Sequence, residues 1–593
     1  MKKFGKVFAV ILAAVMVFAA TSAFAAPAEA SEPVAGVYAS VTGGDVMGYR
    51  YDDVDTFFAI PYGTAERFMP AEPASWDGLY CANVMGEVAP QSTHATASRD
   101  LFNCFPYNLV QPESEDKCLS LNVWTQETGG EATRPVIVWF HGGGFSTGSS
   151  TQFTFYLGEA MAKAYDVVFV SVNHRLNVLG FTDLSAYGDE YKYSGNVGQM
   201  DLELSLKWVQ DNIAAFGGDP SNVTIIGQSG GGSKVTTLMS TPSAKGLFHK
   251  AVALSGGSVQ VGRDTASAQA DTEALVAALG LEGDDIPAQL AALPYEELLA
   301  AATEAGMNYG PVVDGDYIPT GTYEISADIP FIASNVMGEF STNYAEVVPY
   351  APNYDVHMML AYMDDEMVKE QYVSKYSEEF AEDIMAAFQE AYPTHPLKDG
   401  LYLNNRHGAG MSALPLCDAM AGYGGTVYNS LVAYDYPMYG GIVPIHTASS
   451  IPFWFNNVHD IPEFVAGDEE NAEKVAAAMS GALAAFAYTG NPGTEELPWE
   501  AYTPENGATM VFDVDSQVKY HFDDALFEII AQAPSSSGEA ASEEAEAAED
   551  AGSEGEEGAS EEGESAEEGA SEEGAPADEG APEEVPAEEE TAN

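Results

Sequence analysis

The stretch Ile225-Ile226-Gly227-Gln228-Ser229-Gly230-Gly231-Gly232 decides how the rest of the chain is read. With Val223-Thr224 before it, the apolar β-branched run reads as a buried strand. The strand runs straight into a serine with glycine two residues away on each side, and then into a helix-compatible segment, Ser233 to Met239. A serine used as a nucleophile needs this layout. Its hydroxyl must point out from a tight, strained turn, neighbouring side chains would clash there, and the helix that follows aims backbone N–H groups at developing negative charge. Gly-x-Ser-x-Gly alone is weak in a chain with 57 glycines. The strand in front of it supplies the specificity.

Upstream, a second strand-like run, Val136-Ile137-Val138-Trp139-Phe140, leads directly into His141-Gly142-Gly143-Gly144-Phe145. Three glycines leave backbone N–H groups bare and able to approach a substrate oxygen. A phosphate-binding loop would place Lys followed by Ser or Thr after the glycines, and neither is present. An ordinary flexible turn is the plainer alternative, but its pairing with the Ser229 turn argues for an oxyanion-binding loop. Between these motifs lie Val167-Val168-Phe169-Val170, a third strand, and Asp201 to Phe216, where Leu202, Leu206, Val209 and Ile213 recur at helical spacing. Strand, helix, strand predicts a parallel sheet with crossover helices.

Composition bounds the alternatives. The chain has 593 residues, 46% of them hydrophobic, with 22 Lys and Arg against 91 Asp and Glu and a formal net charge of −69. Such a surface repels phosphate backbones and anionic lipid, which argues against nucleic-acid and membrane-surface partners. Lys2, Lys3 and Lys6 precede an apolar stretch from Val7 to Ala20 and the small-residue site Ala23-Phe24-Ala25. This is the layout of a secretory signal peptide over residues 1–25, so the mature protein is expected outside the cytoplasm. No later run is long and apolar enough to span a bilayer. Residues 533–593 form a low-complexity tail with 23 acidic residues and no Lys or Arg, a composition that cannot bury a core. The region 32–532 between them shows no repeat and no obvious domain break. Cys81, Cys104, Cys118 and Cys417 fit no zinc spacing, and in an exported chain they read as one or two bridges or as buried thiols.

The motifs resemble those of the type B carboxylesterases, the family of the cholinesterases, bile-salt lipases and bacterial carboxylesterases. The matching stretches are Cys118-Leu119-Ser120-Leu121-Asn122-Val123-Trp124, the His141–Phe145 run, Asn173-His174-Arg175-Leu176 with Leu179-Gly180-Phe181, and Gly195-Asn196-Val197-Gly198. They continue through Trp208-Val209, Asn212-Ile213, Phe216-Gly217-Gly218-Asp219-Pro220 and the Ser229 turn. Pro311-Val312-Val313-Asp314-Gly315 and Phe486-Ala487-Tyr488-Thr489-Gly490-Asn491-Pro492 follow more loosely. The resemblance implies an α/β-hydrolase fold, a mostly parallel sheet flanked by helices with large loop and helical insertions. It also implies hydrolysis of small-molecule esters through an acyl-enzyme, without metal or organic cofactor.

The family's triad runs Ser, Glu, His along the chain. By resemblance the acid follows a buried strand after Asp314-Gly315, and Phe331 to Phe340 fits, which nominates Glu339. The loop departs from the family's commoner Asp-Glu-Gly ending. The rival cluster Asp364-Asp365-Glu366 reads better as a solvated helix face. Of His357, His395, His407, His446, His459 and His521, only His446 precedes small residues and then Ile451-Pro452-Phe453-Trp454-Phe455, as the family's catalytic His does. The oxyanion donors implied are the N–H groups of Gly143, Gly144 and Gly230.

Some positions depart from the family. Gly230 stands where Ala is usual, which keeps the N–H and is expected to loosen the turn. Lys117 separates Glu115-Asp116 from Cys118. The family's usual partner for that Cys, near Ala89-Pro90-Gln91, is missing, which leaves Cys104 or Cys81 as its alternatives. Asn222-Val223-Thr224 reads as the start of a buried strand rather than a glycosylation site. The loops 100–112 and 344–362 are expected to build the substrate pocket, with Phe145, Trp454 and Phe455 either lining an apolar acyl site or serving as core. A non-catalytic binding protein and an amide or peptide hydrolase on the same fold are the competing functions. The retained serine argues against the first.

Overall fold

The computed structural model describes residues 36–92, 111–131, 133–283, 285–339, 363–401, 403, 406–407, 413–437, 443–444 and 447–534. The expected signal-peptide region, Cys104, His446 and nearly all of the two expected pocket loops and the acidic tail lie outside them. By internal contacts the chain divides into Met1–Ala533 and Pro534–Asn593, and the fold that follows is that of the first unit.

Its frame is a 13-stranded sheet. The strands are β1 (Gly36–Val41), β2 (Gly44–Tyr51), β3 (Val54–Pro61), β4 (Leu79–Cys81), β5 (Ser120–Thr125), β6 (Arg134–Phe140) and β7 (Val168–Val172). They continue as β8 (Gly218–Gln228), β9 (Lys250–Leu254), β10 (Phe331–Val336), β11 (Val427–Val432), β12 (Ala508–Phe512) and β13 (Gln517–Tyr520). The order across the sheet is β1-β2-β3-β5-β7-β6-β8-β9-β10-β11-β12-β13, with β4 beside β2. From β7 to β12 all neighbours are parallel. The edges at β1–β3 and β13 are antiparallel.

The central strands are buried on both faces, as their unbroken apolar runs predict. Side chains alternate along each strand. Ile137, Trp139, Phe169, Ile226, Val252 and Ile332 join one core layer, under helix Glu469–Thr489. Val136, Val138, Phe140, Val168, Val170, Ile225 and Ala251 join the opposite layer. That layer packs against α1 (Val197–Asn212) and α2 (Gly230–Met239). Trp454 and Phe455 belong to the first layer, with Phe455 edge-on to Trp139 and Phe169, so the structure assigns them to core rather than to an acyl site. Val223 and Thr224 are fully buried, but the strand begins at Gly218, four residues before the Asn222 sequon, with a register irregularity against β6 between Gly218 and Val223.

Because the central strands are parallel, their C-terminal ends share one edge. Loops leaving that edge carry His141 after β6, Ser229 after β8, Ser255 after β9 and Glu339 after β10. Asp435 and Asp513 follow β11 and β12 at the same edge, where they meet His395. Its Nδ1 lies 3.2 Å from both Asp399 Oδ2 and Asp435 Oδ2, and its Nε2 lies 3.4 Å from Asp513 Oδ2. Asp435–Tyr436 pairs with Val443–Pro444, so this cluster anchors the hairpin that leads to His446. Tyr436 ties the same segment down by donating to the Ser449 carbonyl at 2.7 Å. Burial disfavours the imidazolium, but hydrogen bonds to the three carboxylates outweigh it and hold His395 up to about 11. Replacing His395 by Leu removes the one cation that all three carboxylates contact. We expect a loss of about 3–5 kcal/mol in urea unfolding at neutral pH.

Candidate active site

Ser229 sits at the junction of β8 and α2 with φ 55° and ψ −125°. A non-glycine residue in this region is strained and is held there only by its surroundings. The restraints are visible. The Ser229 N–H donates to the Leu254 carbonyl at 2.8 Å, and its carbonyl accepts from the Ser233 N–H at 3.1 Å. The helix begins at Gly230, three residues earlier than the sequence suggested, because the glycines themselves form its first turn.

Each glycine around the serine answers to a backbone neighbour. A Cβ on Gly227 would lie 2.2 Å from the Gly231 carbonyl oxygen, and one on Gly231 would lie 2.1 Å from that of Phe140. A Cβ on Gly256, after β9, would lie 2.1 Å from the Ser229 carbonyl oxygen. At Gly230 the space is filled by the oxyanion-type loop: its Cβ would lie 2.2 Å from the Gly144 carbonyl oxygen and 2.5 Å from Gly144 Cα. This corrects the expectation that glycine loosens the turn, since here it lets the loop and the turn touch.

That loop leaves the end of β6, the strand beside β8. Gly143 and Gly144 both have positive φ, 87° and 64°, and their backbone is exposed. The Ser146 and Thr147 N–H groups close the turn onto the Gly143 carbonyl. Gln91, in the stretch near which the family's cysteine would stand, pins the loop's far side. Its Oε1 accepts from Gly148 N–H at 2.7 Å and its Nε2 donates to Gly148 O at 3.1 Å. Cys81, Cys118 and Cys417 are free thiols. Cys118 is buried, which pushes its thiol up to about 12, and Cys81 is exposed; the two are not bridged, so the Cys81 alternative for a bridge to Cys118 is not formed. Phe145 faces a cleft of about 210 Å³ lined also by Ser233, Thr237, Val261 and Tyr309.

Glu339 follows β10, two strands from β8, and is 9% exposed. The Asn335 side chain and the Val336 N–H both donate to its Oε1 at 3.0 Å. Asn335 is itself fixed, because its Oδ1 accepts from Ala413 N–H at 2.6 Å. At about 4.8 Å per strand, Ser229 and Glu339 leave the sheet about 10 Å apart along its edge, leaving room for an imidazole between them. Asp364, Asp365 and Glu366 are exposed, and Asp364 caps a helix, Asp365–Ala391, by accepting from Met367 N–H at 3.0 Å. The rival acid cluster is thus a solvated helix start, as read.

Sequence reasoning missed Asn335 and Lys234. Lys234 is the single charged residue of α2, among small and apolar residues, and that isolation was the available signal. It is fully buried, and burial pushes its amine down to about 7. Its Nζ donates to the His141 carbonyl at 2.9 Å. His141 and His174 lie nearby with tilted rings whose centres are 5.3 Å apart, and both are held well below the usual histidine range by burial first and then by Lys234.

A serine on a strained strand-to-helix turn, at the C-terminal edge of a parallel sheet covered on both faces, defines an α/β-hydrolase. Comparison with known proteins carries this further. Residues 34–528 match the carboxylesterase family, and the chain belongs to it. It is 27% identical over 505 residues to the para-nitrobenzyl esterase of Bacillus subtilis (strain 168), covering 80% of this chain and 94% of that protein. Among solved structures it resembles an esterase from Clostridium hathewayi described as hydrolysing aliphatic aromatic polyesters. That match has a TM-score of 0.75 and 33% identity, and covers 85% of this chain and 100% of the other. A carboxylesterase of Geobacillus stearothermophilus, at TM-score 0.65 and 31% identity, covers 83% and 99%. The chain is a carboxylic ester hydrolase of this family.

Lys234 and His395 make opposite demands on stability. Between about 7 and 10.5 the unfolded chain holds a proton on Lys234 that the folded chain does not, so this residue makes stability rise with pH. His395 is raised from 6.5 to about 11, so its contribution is complete below 6.5 and is lost as pH climbs towards 11. Subtracting the urea-unfolding profile of Lys234→Met from that of the parent should leave a curve rising from pH 7 to 10. A flat difference would contradict this assignment.

Proposed function

We propose that this chain is an exported serine carboxylesterase whose triad is Ser229, Glu339 and His446. The observation that carries the reading is the backbone of Ser229. Its strained φ and ψ, set among close-packed glycines at the C-terminal edge of the parallel strands and beside the exposed Gly143–Gly144 loop, support a nucleophile's role.

In this reading His446 takes the Ser229 proton as the hydroxyl attacks the ester carbonyl, and returns it to the leaving alcohol. Glu339 holds the imidazole in one tautomer and stabilises the imidazolium. Its Oε1 is already occupied by Asn335 and Val336, which supports an orienting role. The N–H groups of Gly143, Gly144 and Gly230 receive the oxyanion, where each donor contributes roughly 10²–10³ in turnover. Water then hydrolyses the acyl-enzyme. The cleft beside Phe145, one turn along α2 from Ser229, supports an ester with an aromatic part, in line with the aliphatic aromatic polyesters that the Clostridium hathewayi esterase is described as hydrolysing.

Ser229→Ala should lower hydrolysis of p-nitrophenyl acetate by about 10⁴-fold or more and abolish fluorophosphonate labelling while the chain stays folded. Parental turnover in that variant would refute the assignment. Export is tested separately: the N-terminal sequence of protein collected from the culture medium should begin at Ala26 or Pro27.

A further inference from the structure

Lys234 is costly where it stands. It is fully buried, and among the described residues no carboxylate pairs with it. Its amine makes one hydrogen bond, to the His141 carbonyl at 2.9 Å, and lies 5.8 Å from the centre of the Phe145 ring. The titratable groups that face it are His141, from the end of β6, and His174, beyond β7, and both are kept from charging beside it. From α1, Gln199 faces the same turn and donates to the Lys234 carbonyl at 3.0 Å. Burying an amine with one acceptor and no counter-ion is unfavourable compared with a methionine of similar length.

The acceptor's position suggests what is gained. The His141 carbonyl and the Gly142 N–H belong to one rigid peptide unit, so fixing one fixes the other. The three residues that follow are glycines, whose φ and ψ no side chain restrains. The direction in which Cβ would leave Gly231 points at the Phe140 carbonyl, with the His141 carbonyl oxygen 2.9 Å away, so both oxygens turn towards the first turn of α2. Lys234, one turn further along that helix, takes hold of the second.

We propose that Lys234 is a positioning residue that ties the Gly142–Gly144 loop to the helix carrying Ser229, so that the oxyanion donors and the nucleophile keep one geometry. The inference rests on the serine-esterase reading above. Lys234 touches no reacting atom and acts through the His141 peptide alone.

The test uses the full chain with Lys234→Met and Lys234→Gln, assayed on p-nitrophenyl acetate and normalised to active sites titrated with a fluorophosphonate. We expect Lys234→Met to fold with a Tm at or above the parent's. Its kcat should fall about 10- to 100-fold with KM changed less than about twofold. The fluorophosphonate labelling rate should fall in parallel, because the phosphyl oxygen occupies the same site. Lys234→Gln keeps an N–H donor and should recover at least about threefold of the lost kcat. Parental kcat in Lys234→Met would overturn the proposal. Equal losses of kcat and Tm in both variants would also overturn it, making Lys234 merely structural. If Lys234→Met does not fold, the Gln variant decides alone: a kcat fall with unchanged KM and Tm supports positioning, and any other pattern overturns it. A parent that neither hydrolyses the ester nor takes the label would instead refute the esterase reading itself.

Discussion

The contact on which the site depends is backbone against backbone. The turn Gly227–Gly231 lies directly on the carbonyls at the end of β6, and Gly256 lies on the carbonyl of Ser229, at distances that admit no Cβ. Close approach of this kind removes the play that side chains would leave. It holds Ser229 in a conformation it would otherwise abandon, and sets the neighbouring Gly143–Gly144 loop against the same turn. The parallel register of β6, β8, β9 and β10 then fixes where every other contributor leaves the sheet. Position along the edge is a property of the sheet, and chemistry is a property of the loops hung on it.

A second layer of polar contacts supports the first. Asn335 and Val336 hold one oxygen of Glu339, Gln91 holds Gly148, and Lys234 holds the His141 carbonyl. The anchor of the segment leading to His446 is different in kind. There a buried imidazolium is set among three carboxylates. The removal of a partner from such a cluster exposes the full desolvation cost of those that remain.

Much of this was legible in the sequence. The strands that flank the two glycine motifs were readable because buried parallel strands are continuous apolar runs, and Ser229 and the Gly142–Gly144 run were readable because their chemistry demands those residue types in that order. Glu339 was reachable only through the family's chain order, since one glutamate after a strand carries no periodic signal. Lys234 escaped because a lysine on a helix normally faces water, and only the strand and loop packed over α2 show that this one does not. The identity of Trp454 and Phe455 as core was likewise undecidable from pattern, because an aromatic against a sheet and one against a ligand look alike in sequence. The effect of Gly230 could be judged only from what occupies the space beside it.

The spacing of the site along the chain also bears on how it comes together. The loop after β6, the turn at Ser229 and Lys234 lie in one stretch of chain joined by consecutive crossovers, whereas Glu339 and the hairpin at Asp435 arrive from strands added later in sequence. Parallel strands pair only after long loops have closed, which makes non-local sheets slow to complete. On the proposed triad, a chain folded as far as β9 would therefore hold a formed serine turn beside its glycine loop but neither the proposed acid nor the hairpin, and would be silent as a catalyst. On that reading reactivity arises only when the second half of the sheet docks, so the fold would delay the appearance of an active serine until the enclosing structure is complete.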